Sequence, residues 1–264
     1  MNSLTNLPTE TQCHKQIFSA IYGTSACPRC TGRLLFRSSY AWCKLCRKKW
    51  SVKAICWLRQ SKLSFRSLWL LIWCWQQQKG TGTTVDITGH SYPTVRRWIR
   101  RFRAHLPATS LELSGIVEVD ESFFGKQKYG QQTIVVGAIE RDTRRVRLRI
   151  VEDRSQDTLE LFLTQCVRRT SHLTTDAHAG YSDLEFYGYS HERCNHSHGH
   201  FGPTNMIENF WGVLKRSLRR LYGKLTLPDL ENILKEWEQR QNQPELFYTV
   251  HNYLRATTCS VLVD

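Results

Sequence analysis

Long apolar runs are missing from this chain. The longest, Leu68 to Trp75, falls far short of the ~20 residues a helix needs to cross a bilayer. It reads as a buried helix, and no membrane association is expected. No secretory leader is expected either, because Met1 to Glu10 shows no basic start followed by an apolar stretch; a cytoplasmic location follows as the expectation. Acid is scarce: Asp+Glu total 23 against 37 Lys+Arg, a formal net charge of +14. An excess of this size favours a polyanionic partner, since neutralised phosphates release counterions. Charge alone leaves DNA, RNA and an anionic membrane surface open. Internal repeats and low-complexity segments are also lacking. At 264 residues, against a usual domain size of roughly 100–200, the chain should hold one larger domain and smaller modules.

Cysteine, by contrast, is plentiful, with 10 in all. Size, the missing leader and the spacing point to thiols that bind metal rather than pair as disulfides. Cys27-Pro-Arg-Cys30 and Cys43-Lys-Leu-Cys46 are two C-x2-C knuckles with twelve residues between them, a hairpin length, and predict a zinc ribbon over 23–56 after an N-terminal segment, 1–22. Four thiolates close the shell, so this Zn²⁺ is structural. Cys13, Cys56, Cys74, Cys166 and Cys259 are scattered and read as interior thiols. His191, Cys194, His196, His198 and His200 crowd together, but their spacing matches no closed zinc pattern.

From 61 to 106 the pattern is helical. Phe65, Leu68, Trp69, Ile72 and Trp73 recur at core-facing spacing. A break at Lys79-Gly-Thr-Gly82, a short element Thr84 to Thr88, a turn Gly89-His-Ser91 and an element from Tyr92 to Ala104 then predict a helix-turn-helix. In its last element Val95, Trp98, Ile99 and Phe102 form one stripe. Arg96, Arg97, Arg100 and Arg101 fill much of the remainder, as suits a phosphate-lined groove; a merely solvated basic face is the plainer alternative.

Strand-like stretches follow at Gly115–Glu121, Thr133–Arg141 and Val146–Glu152, then a helix Asp157–Arg168, a strand Leu173–Asp176 and a long helix Thr204–Tyr222. This β-β-β-α-β-α order over 115–222 is that of an RNase H-like α/β core. Two amphipathic helices within 228–256 are expected to pack back onto it. Asp120 and Asp176 each close an apolar run, and Glu208 opens the long helix, so three distant carboxylates can converge to hold Mg²⁺ or Mn²⁺. With a strand period of 2, Glu118 faces the same side as Asp120; Glu118 and Glu121 are rivals for the same role. On the long helix Lys215 lies seven residues beyond Glu208, about 20° around the axis, and Arg219 continues the stripe.

Val119-Asp120-Glu121-Ser122-Phe123-Phe124-Gly125, Thr175-Asp176-Ala-His-Ala-Gly-Tyr181, Asn195-His196-Ser197 and Thr204-Asn-Met-Ile-Glu208-Asn-Phe-Trp211-Gly-Val-Leu-Lys215 together resemble the catalytic core of bacterial insertion-sequence DDE transposases related to the Merlin transposons. The likeness runs from the ribbon to about Leu254. It implies Asp120, Asp176 and Glu208 as ligands of two catalytic ions, with Asp120 bridging them, Lys215 as the basic residue that follows, and His196 as an active-site neighbour. It also implies DNA as partner: the terminal inverted repeats of the element, which the ribbon and helix-turn-helix would recognise, and a target into which the freed 3′-hydroxyls are joined. Since one chain supplies one active site and an element has two ends, a homodimer or larger assembly in the bacterial nucleoid is expected. Two rival functions remain at this point, a DNA-binding regulator with a silent core and an RNase H-like nuclease.

If the arginine face tracks phosphates, replacing Arg96 and Arg97 together should flatten the slope of log K against log salt by up to about 2. An unchanged slope in a binding titration would move the DNA contact elsewhere.

Overall fold

Thr9 and Gln12 close a reciprocal capping box that starts helix α1, Glu10–Tyr22. The computed structural model describes residues 7–54, 56–59, 61–125, 132–176, 178–194, 204–221 and 226–258, with Cys56 and Cys194 described by backbone alone. They fall into two compact units, one of residues 1–107 with 244–264, the other of 108–243.

In the first unit, β1 (Leu34–Phe36), β2 (Ala41–Cys43) and β3 (Lys49–Trp50) form an antiparallel ribbon in that order. Helices α2 (Phe65–Gln76), α3 (Thr81–Thr88) and α4 (Tyr92–Ala104) follow, α3 and α4 separated by Gly89 to Ser91. The predicted ribbon and the helix–turn–helix succession are therefore present as shapes. Within the N-terminal segment α1 turns Cys13, Ile17, Phe18 and Ile21 into the unit's core and buries His14 beside them.

The last helix departs from expectation. α8 (Val250–Thr258) was expected on the catalytic core, but Val250, Tyr253 and Leu254 join the core of the first unit. The reason is complementary aromatic surface: Tyr253 lies 5.0 Å from Trp75 and 6.0 Å from Trp57 and Phe102, ring to ring. Its hydroxyl donates to the Phe102 carbonyl at 3.0 Å. The Gln76 amide donates to the carbonyls of Leu246 and Thr249, both at 2.8 Å.

The second unit holds β4 (Ile116–Phe124), β5 (Thr133–Glu140), β6 (Val146–Val151), α5 (Gln156–Cys166), β7 (His172–Asp176), β8 (Ser190–Cys194), α6 (Asn205–Leu221) and α7 (Leu227–Asn242). Sheet order is β6-β5-β4-β7-β8. The first three strands pair antiparallel, and β7 and β8 add in parallel. This is the RNase H-like arrangement, with one strand more than the sequence pattern suggested. Val117, Val119, Val136 and Ala138 pack with Leu159, Phe162 and Leu163 of α5 on one face. Val135 and Ile139 pack with Ile207, Trp211 and Leu214 of α6 and Leu230, Ile233 and Leu234 of α7 on the other. Asn242 closes α7 by bonding both the N–H and the C=O of Val146, at 2.7 and 2.8 Å.

His14 titrates in a way that can be measured. Its ring is 1% exposed and stacks on Phe65 at 3.8 Å, and Nδ1–H donates to the Arg37 carbonyl at 3.0 Å. Among the described residues Nε2 has no partner, so protonation would bury an unpaired charge. Burial lowers the pKa from 6.5 to about 4. The neutral ring is the folded form, so its contribution is complete above pH 6.5 and fades as pH falls toward 4, by at most ~1.4 kcal/mol per pH unit. In urea melts the advantage of wild type over His14→Gln should shrink by about 2 kcal/mol between pH 7 and pH 4.5. Parallel pH profiles would show that His14 does not titrate on unfolding.

Candidate active site

Register brings the first two carboxylates together. Ile116, Val117 and Glu118 of β4 pair in parallel with His172, Leu173 and Thr174 of β7. Two residues further along each strand stand Asp120 and Asp176, at one level and on one face. Glu121 follows Asp120 and starts from the opposite face, the one lined by Val117 and Val119. Carboxylate oxygens of Asp120, Glu121 and Asp176 nevertheless all lie within 4.8 Å of one another. The cluster sits beyond the last β4–β7 pair, Glu118 and Thr174, where β4 still pairs with β5 and β7 with β8, so a side chain can come round between the two strands.

Each member is held separately. Tyr181, fully buried, donates its hydroxyl to Glu121 Oε1 at 2.5 Å. The backbone N–H of His178 donates to Asp176 Oδ1 at 3.0 Å, and Gly180 N–H donates to His178 Nδ1 at 3.1 Å. The Asp-x-His-x-Gly-Tyr stretch is thus a turn that fixes one carboxylate by its backbone and a second by its tyrosine. Glu121 was a rival on sequence grounds; the geometry makes it a full member of the cluster.

Glu208 stands differently. It is exposed on α6 and accepts from the Thr204 hydroxyl at 2.8 Å. It is outside the group of oxygens within 4.8 Å, yet near enough that its charge helps raise the pKa of Asp120. Burial is the larger cause, followed by Glu121, and together they push Asp120 to about 6. Burial also raises Glu121. Lys215 lies over the Phe124 ring with Nζ 5.5 Å from its centroid. Burial lowers its pKa, against the pull of Asp120. The predicted Glu208–Lys215 stripe therefore runs along the carboxylate side of α6, and Arg219 beyond it is exposed.

Close approach of α6 needs a bare backbone on the sheet. Gly137 of β5 is the residue opposite Asp120, and a Cβ there would meet the Trp211 ring at 2.5 Å. Only glycine admits the indole, three residues after Glu208, onto the strand next to Asp120. Glu118, the second rival, points to the α6 N-terminus instead of into the cluster.

The ribbon cysteines also converge. Cys27 and Cys46 sulfurs are 3.6 Å apart, Cys30 and Cys43 sulfurs 3.5 Å, and all four lie within 4.8 Å of one another. A Zn–S bond of about 2.3 Å implies ~3.8 Å between sulfurs in a tetrahedron, so these thiols fit Zn²⁺, whereas a disulfide would need about 2 Å. A Cβ at Gly32 would come within 3.3 Å of the Cys30 and Cys43 sulfurs. On α4, Arg96, Arg97 and Arg100 are exposed. Arg101 is half-buried, donates to the Trp57 carbonyl and lies 5.0 Å over the Trp98 ring; of the four predicted arginines it is the one turned into the fold. His196, with His198 and His200, lies outside the described residues.

The ISXO2-like transposase domain matches residues 112–242, the second unit almost from end to end. A transposase-like protein of Haemophilus influenzae is 34% identical over 101 residues, covering 37% of this chain and 80% of the relative. The chain belongs to the ISXO2-like transposase family. The matched stretch carries Asp120, Glu121, Asp176, Glu208 and Lys215, while the ribbon and α2 to α4 precede it. Solved structures similar to part of this transposase include the BIV integrase catalytic core domain, at 17% identity and TM-score 0.37 over 49% of this chain and 84% of that one. The HTLV-2 integrase catalytic core domain in complex with magnesium gives 15% identity and TM-score 0.36 over 51% and 90%. Among the described residues no helix is long and apolar enough to cross a membrane.

Cys43→Ser should lower the zinc content of the purified transposase from about one equivalent to well below it. Full occupancy by atomic absorption in the variant would refute the ribbon as a four-thiolate site.

Proposed function

We infer that this transposase binds the terminal inverted repeats of its element, hydrolyses the phosphodiester at each end, and directs the freed 3′-hydroxyl at a phosphodiester of target DNA. The observation that carries the reading is the crowding of Asp120, Glu121 and Asp176 oxygens within 4.8 Å in a chain of net charge +14. Buried like charges at that spacing repel, and a divalent cation is the partner that relieves them. In this reading Asp120 and Asp176 are ligands, Glu208 reaches the same centre from α6, and Glu121 shares the charge while Tyr181 keeps it aimed inward. Two Mg²⁺ or Mn²⁺ ions, when bound, supply an activated oxygen nucleophile and neutralise charge at phosphorus and on the leaving oxygen.

The protein's own groups do the rest. Lys215 and Arg219 follow Glu208 along one side of α6 and give the DNA backbone a cationic track leading away from the carboxylates. Phe124 and Trp211 wall the site with apolar surface, strengthening each charge contact there. Arg96, Arg97 and Arg100 on α4 bind the element end, assisted by a zinc-held ribbon. Two ends processed together require at least two copies of the chain.

Purified protein incubated with a labelled element-end duplex, Mg²⁺ and a target plasmid should yield cleaved and joined product. Asp120→Asn should abolish both, by at least ~10³-fold, with end binding unchanged. Cleavage without joining would indicate a nuclease, binding alone a regulator, and equal loss of binding and cleavage in the variant a structural Asp120.

A further inference from the structure

Asp120 and Glu208 sit on different elements, 88 residues apart in sequence, so the distance between them depends on how α6 packs against β4. The contact that sets it lies two residues before Asp120. Glu118 is 2% exposed and projects from the same face of β4 as Asp120. Its Oε2 accepts from the backbone N–H of Met206 at 2.8 Å and of Ile207 at 3.1 Å. Both belong to the first turn of α6, where N–H groups have no partner within the helix and the helix dipole favours an anion. Oε1 accepts from Arg141 Nε at 3.1 Å and Nη2 at 3.0 Å. The carboxylate is therefore fully engaged, one oxygen on a guanidinium and the other on a helix end.

The geometry is unusual for a capping group. A helix is ordinarily capped by a residue just before it, and here the acceptor is a strand residue 88 positions earlier. Satisfying the α6 N-terminus from β4 fixes where the first turn of α6 sits along that strand. Glu208 is one and two residues past the two capped N–H groups. The Trp211–Gly137 contact sets the depth of the same helix over the sheet; the Glu118 contact sets its position along it.

We propose that Glu118 is a positioning residue of the transposition reaction: it registers α6 against β4 so that Glu208 reaches the cation held by Asp120 and Asp176. This rests on the reading of those carboxylates as ion ligands given above. It also explains why Glu118, which shares a face with Asp120, is spent on backbone amides and an arginine instead of joining the ligand cluster.

Because a positioning residue acts through another group, the test is a double-mutant cycle read by Mn²⁺ binding in full-length protein, with calorimetry as the readout and end cleavage alongside. Glu118→Gln keeps the shape but loses the charge. It should weaken Mn²⁺ binding by about tenfold, the scale typical of groups that orient metal ligands, and lower kcat for cleavage while the KM for the end duplex stays within about twofold. In a Glu208→Gln background the same change should cost nothing further, since the group it positions is gone. Equal losses in both backgrounds, or no loss in either, would overturn the proposal. Should Glu118→Gln unfold, Glu118→Asp, which keeps the charge and shortens the reach, serves in the same cycle with the same decisive outcomes. Wild-type protein that binds no Mn²⁺ would sink the ion-site reading itself and this proposal with it. Wild type that binds Mn²⁺ but cuts no element end would sink the assigned reaction, and the binding cycle would still decide the role of Glu118.

Discussion

Three backbone pairings govern the chemistry of this transposase. Ile116, Val117 and Glu118 lie beside His172, Leu173 and Thr174, and this short parallel ladder sets Asp120 and Asp176 level with each other just beyond it. A slip of one residue would turn one of the two carboxylates to the opposite face. The hydrophobic pattern guards against that slip, because Val117, Val119 and Leu173 must stay in the core shared with α5. Apolar burial on one face thus holds the two carboxylates level on the other.

The same arrangement stores electrostatic cost. Asp120 is held near pKa 6 by burial and by its acidic neighbours, and Glu121 is raised for the same reason. Carboxylates in that condition are poor company for each other and good company for a cation. Around them, Tyr181 offers Glu121 a neutral hydroxyl and His178 offers Asp176 a backbone amide, while the charges of Arg154 on Glu121 and of Lys215 on Asp120 offset part of the repulsion. Arg141, the guanidinium bonded to β4, is committed to Glu118.

Much of this was legible in the sequence, for physical reasons that can be named. The two knuckles announced four converging sulfurs, and the apolar run ending in Asp176 announced a strand end, whereas Asp120 falls in the middle of β4 because the strand runs on through Phe124. The long helix expected over Thr204–Tyr222 is present as α6, and its Ile207, Trp211, Leu214 and Leu218 form the face buried on the sheet. What was not legible lacked a local signal. β8, Ser190–Cys194, is an edge strand of polar residues without apolar alternation, and its pairing with β7 comes from the sheet. The Thr9–Gln12 capping box was a signal for α1 that went unread. Glu121, a rival on sequence grounds, could not be placed by strand periodicity, which assigns it to the opposite face and knows nothing of side chains turning round a strand edge. Glu118 and α8 illustrate the harder case: amphipathicity says that α8 must be buried, but only the shape of the aromatic cluster around Trp57, Trp75 and Phe102 decides where.

That placement of α8 bears on how the protein is made. Phe102 and Tyr253, joined by a hydrogen bond, are 151 residues apart in the chain, and the whole catalytic unit is encoded between them. On the ribosome the aromatic cluster of the ribbon-bearing unit emerges early with its Tyr253 side uncovered, and it stays so until the final helix leaves the exit tunnel. The RNase H-like unit, contiguous from 108 to 243, has all its own elements in hand before then. Synthesis therefore delivers the catalytic half first and completes the other half last.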